Sequence, residues 1–373
     1  MALSRIDTTN MIEDVPQSKI DNNINFRNLI INGDMSIAQR GTSVSSITSE
    51  SYNTLDRFLI GINLGTWTQS QSTDVPTGQG FAKSLKMDCT TADASPAAGA
   101  AMALQQRIEG QNLQYLKKGT SNATNLTLSF WVKSNKTGTY IAELLDFDNN
   151  RTINKSYTIN SANTWEKKII TYAGDTTGAF DNNNGRSLDV NFWLGAGSTF
   201  TSGTLNTTWN SETAANRAVG QVNLADSTSN EWYITGVQLE AGTSASDFEF
   251  LPVDVNLARC QRYYQIIADR TSTGTRMAIT CAAAVDTTSV YGAIQFPTPM
   301  RASATMLSTT VTNGYRLLGS PEPTFNVMSA SPITNRGARI SNGSSLSTSI
   351  TTGRAYVLEC ELNGSDLRFE AEL

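Results

Sequence analysis

No histidine occurs in the 373 residues, and this absence removes more chemistry than any motif adds. A Ser/His/Asp triad, imidazole acid–base catalysis and His-ligated zinc are all excluded. Charge is also scarce: 16% of residues are charged, with 33 acidic against 28 basic, a net charge of −5. A nucleic-acid surface needs a basic stripe to neutralise phosphates, and none is present. The four cysteines, Cys89, Cys260, Cys281 and Cys360, are far apart and form no C-x-x-C pair, so neither a zinc knuckle nor a disulfide framework is expected. They read as reduced, buried thiols of a chain that folds in a reducing cytoplasm. No run of 18 apolar residues exists, and MALSRIDTTNMIEDVP lacks the basic and apolar regions of a signal peptide. A soluble product without membrane insertion is expected.

Ser, Thr, Asn and Gly are abundant between short apolar runs, a texture of many strands and many turns. Residues 1 to 25 scatter Leu3, Ile6, Met11, Ile12 and Val15 among polar residues at no sustained period. Such a segment cannot bury enough surface to fold alone, and it reads either as a disordered tail or as an anchor that orders against a partner.

From Phe26 the text becomes RNLIINGDMSIAQRG, read as a strand broken by Asn32-Gly33 and resumed through Met35 and Ile37. Strands are then expected at Arg57 to Ile62, Thr66 to Gln71, Ser84 to Cys89 and Ala101 to Ile108, with a helical turn at Asn112 to Lys118. Leu126 to Lys133 and Thr139 to Phe147 follow, joined by Ser134 to Gly138 as a hairpin loop. Thr152 to Ile159, Trp165 to Tyr172, Leu188 to Leu194 and Trp232 to Leu239 complete about ten strands without a repeat. Two packed sheets in a jelly roll are the commonest solution for that pattern.

Alternation identifies the faces. Leu126, Leu128, Phe130 and Val132 point one way, while Thr127, Ser129, Trp131 and Lys133 point the other. Leu188, Val190, Phe192 and Leu194 likewise oppose Asp189, Asn191 and Trp193. Trp131 and Trp193 are therefore the carbohydrate-binding candidates, because an indole turned away from a core stacks on sugar, enters an oligomer interface or is covered by a loop.

The excursion at 195–230 is long enough to be functional or to pack across a neighbour. Its Gly195-x-Gly197 is no dinucleotide loop, since Phe200 holds the third glycine position.

After Pro252 a smaller C-terminal β-sandwich, the distal tip, is expected over 252–373. Leu257 to Ile267 reads as a helical turn or a strand. Strands are expected at Met277 to Ala284, Ser289 to Phe296, Thr305 to Thr312, Leu346 to Ile350 and Arg354 to Leu362.

The densest acidic places are Asp146 with Asp148, and Asp175 with Asp181. A glycosidase or depolymerase needs two carboxylates across a cleft, but these sit in turn-rich text that favours Asp for backbone reasons. DFDNNR begins like an EF-hand loop, yet Arg151 replaces its glycine and Tyr157 stands at the twelfth position. No cofactor is called for, and a structural calcium ion in an irregular loop stays open.

Several stretches in order carry a likeness: NLIINGDMSIAQRGTS, LDRF at Leu55 to Phe58, LSFWVKS, the run from GSTFTSG to TGVQLEAG, CQRYY at Cys260 to Tyr264 and FPTPMR at Phe296 to Arg301. Together, over residues 26 to 302, they resemble bacteriophage virion proteins of the tail-fibre and receptor-binding type, with a more distant likeness to carbohydrate-binding jelly rolls. The resemblance implies a trimeric structural protein of the virion, assembled in the host cytoplasm. Its segment 1–25 would dock on other virion proteins and its outer part would face the host glycan. A capsid-decoration or head-fibre assembly protein is the alternative reading, and a polysaccharide depolymerase the third. Enzymatic tailspikes of that kind look like β-helices with short repeats, which this sequence lacks.

Overall fold

The structure, a computed structural model, describes residues 26–269 and 276–373. It is nearly all β, in two compact units that meet in sequence between Leu251 and Pro252. The anchor candidates Leu3, Ile6, Met11, Ile12 and Val15 lie outside the described residues.

The first unit runs through Ser43–Ile47 (β1), Ser51–Tyr52 (β2), Leu59–Ile62 (β3), Thr66–Ser72 (β4), Ser84–Thr91 (β5), Ala101–Glu109 (β6), Leu126–Ser134 (β7), Gly138–Asp146 (β8), Arg151–Ile159 (β9), Glu166–Tyr172 (β10), Arg186–Ala196 (β11), Asn210–Ser211 (β12) and Glu231–Ala241 (β13). A six-stranded sheet in the order β1-β4-β5-β13-β7-β10 faces a seven-stranded one in the order β12-β9-β8-β11-β6-β3-β2. This is the expected jelly roll. Leu128, Phe130 and Val132 of β7, Val190 and Phe192 of β11, and Trp232 and Ile234 of β13 are fully buried in the core between the sheets. Each such side chain contributes about 1.5–3 kcal/mol by leaving water.

The segment Ser134 to Gly138 is not a hairpin loop. Strand β7 pairs with β10 and β13, whereas β8 pairs with β9 and β11, so the link crosses from one sheet to the other. Asn135 fixes that crossing: its amide donates to the Ser229 carbonyl at 3.0 Å and its carbonyl accepts from Glu231 N–H at 2.8 Å. Side-chain bonds of this kind replace the ladder that a hairpin would have supplied.

Phe26 to Gly41 is likewise not a regular strand. It lies irregularly along β13, with Leu29 N–H donating to the Leu239 carbonyl and Val237 N–H to the Gly33 carbonyl, both at 2.9 Å. Asn28 adds two more bonds to β13, and Asn32, at φ +62°, closes its turn on Ile37 and Asp56. The Asn-Gly signal marks a turn here, but buried asparagines rather than ladder pairs satisfy the backbone.

The second unit opens with a helix at Val253–Gln261, which splits the expected element at Leu257 to Ile267 in two. Strands follow at Tyr264–Asp269 (β14), Met277–Ala284 (β15), Val290–Gln295 (β16), Thr305–Ser308 (β17), Tyr315–Leu318 (β18), Thr324–Phe325 (β19), Met328–Ile333 (β20), Gly337–Asn342 (β21), Ala355–Cys360 (β22) and Asp366–Glu370 (β23). They make a three-stranded sheet, β14-β23-β17, and a seven-stranded one, β19-β18-β22-β15-β16-β21-β20. The two share a core that includes Tyr315, Leu358 and Phe369.

Leu346 to Ile350 is irregular rather than a strand, and only Ile350 of that run is fully buried. Strands β18 to β21 and β23 escaped the sequence reading. They are short, and their apolar residues are diluted by Ser, Arg, Glu and Asp, so the period-2 signal is weak.

Candidate functional site

Because β7 gives alternate residues to the core, Ser129, Trp131 and Lys133 stand on the outer face of the six-stranded sheet. Their ladder neighbours are Ile169 and Lys167 on β10, and Thr235 and Tyr233 on β13. Trp131 is half-buried, and beside it opens a cleft of about 330 Å³ lined also by Gln79, Phe81, Lys167, Asp247 and Phe248.

The cleft exists because β13 is irregular at this level. Its register shifts between Thr235 and Gln238, and Gly236 at φ +62° holds the Phe81 ring where a Cβ would stand 2.5 Å from it. Only glycine accommodates both the left-handed backbone and that ring.

The far wall comes from the chain after β13. Ser246 is tied to the Glu240 carboxylate at 2.8 and 2.7 Å, and Glu249 N–H donates to Gln238 Oε1 at 2.8 Å. Glu249 turns inward, where its carboxylate accepts from the N–H groups of Phe26 and Asn28 at 2.7 and 3.0 Å. Its neighbours Phe248 and Phe250 therefore turn to the cleft. They form a triangle with Phe81, with ring centroids 5.1, 5.1 and 4.8 Å apart. Phe250 remains 50% exposed.

Along the same face runs a second aromatic group. The Lys133 ammonium lies 4.3 Å from the centre of the Tyr233 ring and 5.6 Å from that of Trp165, whose indole donates to Asp74 at 2.9 Å. Lys133 pairs with Asp74, and Lys86 with Glu231 at 2.6 Å. Burial alone would push the Asp74 and Glu231 carboxyls up, but the lysines and their hydrogen bonds hold both below the ordinary range. Burial and Glu231 together push the Tyr233 hydroxyl up. These lysines are thus engaged. Among the described residues Lys167, beside Trp131, has no carboxylate partner.

Trp193 does not share this setting, and the expectation of an open indole there is corrected. It is 3% exposed beneath the 195–230 excursion. Phe200 lies 5.4 Å away, ring centre to ring centre, and the Arg217 guanidinium 5.3 Å above. The Glu143 carboxylate accepts from the Trp193 indole at 3.2 Å, from Asn191 at 2.8 Å and from Arg217 at 2.7 and 2.8 Å. The excursion packs across the sheet, and a buried indole offers no stacking surface.

The acidic candidates converge at one corner without forming a catalytic pair. Lys118 reaches Asp146 at 2.5 Å, Asp175 at 3.2 Å and the carbonyls of Thr177 and Gly178 at 2.9 and 2.7 Å. Arg151 binds Asp175 at 2.7 Å, and Asp148 accepts from Asp181 N–H at 3.0 Å. An ammonium group stands where the oxygens of a calcium cage would converge. Among the described residues no three acidic or thiol groups cluster as metal ligands.

Phe81, Trp165, Tyr233, Phe248 and Phe250 escaped the sequence reading as site residues. The alternation in Asp247-Phe248-Glu249-Phe250 carried a usable signal, since it continues past the end of β13 with large rings on one side.

No family model matches the chain, and no curated protein matches it. Among solved structures it is similar to the enzymatically active domain of tailspike protein 4 of bacteriophage CBA120, at 18% identity and a TM-score of 0.30. That match covers 58% of this chain and 21% of the other, so the chain spans about a fifth of that domain. It is also similar to the family 11 carbohydrate-binding module of Clostridium thermocellum in complex with a mixed-linked tetrasaccharide, at 11% identity, over 55% of this chain and 98% of that one, with a TM-score of 0.25. A third likeness is to a carbohydrate-binding module with its glycoside hydrolase module in a Clostridium thermocellum endo-xylanase complexed with xylohexaose, at 11% identity over 56% and 30% of the two chains, TM-score 0.26. At these values nothing that those proteins bind or cleave passes to this chain by likeness.

Proposed function

We propose that the chain is a bacteriophage fibre subunit, resident on the virion, that holds host-surface glycan weakly in the cleft around Trp131 and acts in three copies. The observation that carries the glycan reading is the open aromatic cleft itself: Trp131 and Phe250 offer ring faces, while Gln79, Ser129, Asp247 and Lys167 ring them with hydrogen-bonding groups. Sugar rings present one apolar face of C–H groups and a rim of hydroxyls, which such a surface complements. The ordered likeness of residues 26 to 302 to tail-fibre proteins supports the virion setting.

A single shallow site of this kind binds at around millimolar, about 4 kcal/mol. Several copies on one particle raise the effective affinity by roughly 10²–10⁴, so weak sites suffice for attachment. Binding without turnover is proposed, because Asp247 is the one carboxylate among the described residues lining the cleft and glycoside hydrolysis uses two.

A glycan array probed with the protein and its Trp131→Ala and Phe250→Ala variants tests the reading. Binding should fall at least tenfold in each, about 1.4 kcal/mol, with little change in thermal stability. Absence of binding by the unaltered protein, or variants that bind as well as it does, would overturn the proposal. Ile169, 57% exposed on the same face, favours a second reading in which this surface joins subunits in assembly. Loss of oligomer in Trp131→Ala without any glycan signal would select it. Shortening of host polysaccharide on incubation would select a depolymerase instead.

A further inference from the structure

The cleft at Trp131 is lined by two charged side chains, and they do not meet. Lys167 stands directly across the ladder from Trp131, so their Cβ atoms are about 5 Å apart on the same outer face. Asp247 belongs to the far wall, in the return after β13. Among the described residues neither side chain enters an ion pair, whereas three neighbouring cations are engaged: Lys133 with Asp74, Lys86 with Glu231 at 2.6 Å, and Arg27 with Glu240 at 3.7 Å and Glu249 at 3.8 Å. The exposed Lys167 thus leaves its charge to the solvent, on the edge strand of the sheet.

We propose that the glycan held in this cleft is anionic, with a sugar carboxylate or phosphate seated on the Lys167 ammonium. The assignment deepens the glycan reading above and rests on it. A ring stacked on Trp131 displaces water from the ammonium beside it. Neutral hydroxyls return only part of that loss, because an ammonium has three donors and no acceptor, and a desolvated charge is costly unless it is paired. An anionic oxygen restores it through a charge-assisted bond, about twice as strong as a neutral one.

Asp247 sharpens the same choice. Its carboxylate accepts from sugar hydroxyls and repels an anion, so the far wall takes the hydroxyl rim while the charged substituent turns toward β10. Lysine and aspartate together fix the direction in which the sugar lies. A lysine that only kept the surface soluble would show no such preference, and its loss would touch acidic and neutral glycans alike.

An array of purified bacterial polysaccharides, acidic and neutral, is read with the full chain and with Lys167→Gln, Lys167→Arg and Trp131→Ala. The strongest signals of the unaltered protein should come from acidic members. The ratio of acidic to neutral binding should fall about fivefold in Lys167→Gln, which keeps a hydrogen-bond donor but not the charge, and should be kept in Lys167→Arg. Two further readouts need no variant. Raising salt from about 0.1 to about 1 M, which shortens the screening length from ~10 to ~3 Å, should weaken the best acidic ligand more than the neutral ones. Reducing the carboxylates of that ligand to alcohols, or removing its phosphates, should lower binding by about the same factor, and the treatment that does so identifies the anion. Strongest binding to neutral polysaccharides, an equal loss of acidic and neutral binding in Lys167→Gln, or indifference to both treatments would overturn the assignment, and a signal still lost in Trp131→Ala would then leave the glycan reading standing. No binding to any member would overturn both.

Discussion

Trp131 and Trp193 occupy equivalent places in two strands with the same alternation, each pointing away from the core of the same sandwich, yet one lines an open cleft and the other is sealed. The difference lies outside both strands. The seven-stranded sheet carries the 195–230 excursion across its outer face, with Arg217 laid over Trp193 and tied to Glu143. Among the described residues, the six-stranded sheet has the link between β4 and β5, with Gln79 and Phe81, and the short return from Gly242 to Phe250, which edge the face and leave Trp131 half-buried. Strand periodicity assigns a side to each residue, but the length and anchoring of the following loop decide whether that side meets water.

The two indoles should therefore separate most widely in stability. Trp193→Ala empties a packed, hydrogen-bonded site and should cost about 3–5 kcal/mol in urea unfolding. Trp131→Ala removes a half-buried ring at a cleft edge and should cost about 1 kcal/mol or less. Equal costs would mean that the excursion does not seal its sheet. A smaller effect is expected from the charge beneath the excursion. Glu143→Gln keeps one acceptor oxygen for Asn191 and Trp193, which share Oε2, but leaves the Arg217 guanidinium facing a neutral amide, with the partly exposed Glu212 as its remaining carboxylate. The loss should be about 1.5–3 kcal/mol, and limited proteolysis within 197–225 should quicken with it.

Legibility followed the same division. The core faces of β7 and β11 were readable because their apolar residues alternate without interruption, and so were nearly all the long strands. The sheet to which each strand belongs was not readable: Asn135, which makes the Ser134 to Gly138 link a crossing, reads locally like any loop asparagine. Of the candidate site, Trp131 was visible through alternation. The ring triangle was not, because Phe81 and Phe248 are far apart in sequence and are brought together by the Gly236 bulge. The fate of Trp193 hinged on Glu143 and Arg217, whose contacts no local pattern encodes. In the second unit short polar-rich strands such as β20 and β21 take their place from neighbours rather than from their own period.

The smallest contrast concerns pH at the edge of the open face. Glu166, the first residue of β10, accepts from the N–H groups of Asn160 and Ser161 at 2.8 and 2.9 Å and from Lys168 at 2.5 Å. Burial pushes its carboxyl up, but Lys168 and these hydrogen bonds outweigh it and hold the group at about 2, against an ordinary 4.5. A depressed carboxyl adds stability that is complete above the unfolded value and is lost as pH falls through the folded one. The contribution of Glu166 should thus be whole above about pH 4.5, fade between 4.5 and 2, and be gone below. Urea midpoints at pH 5.5 and 2.5 should differ less in Glu166→Gln than in the unaltered protein, because the variant cannot titrate there. If both lose the same stability over that interval, the acid sensitivity lies elsewhere, and the edge strand that carries Lys167 toward Trp131 is not held by this carboxylate.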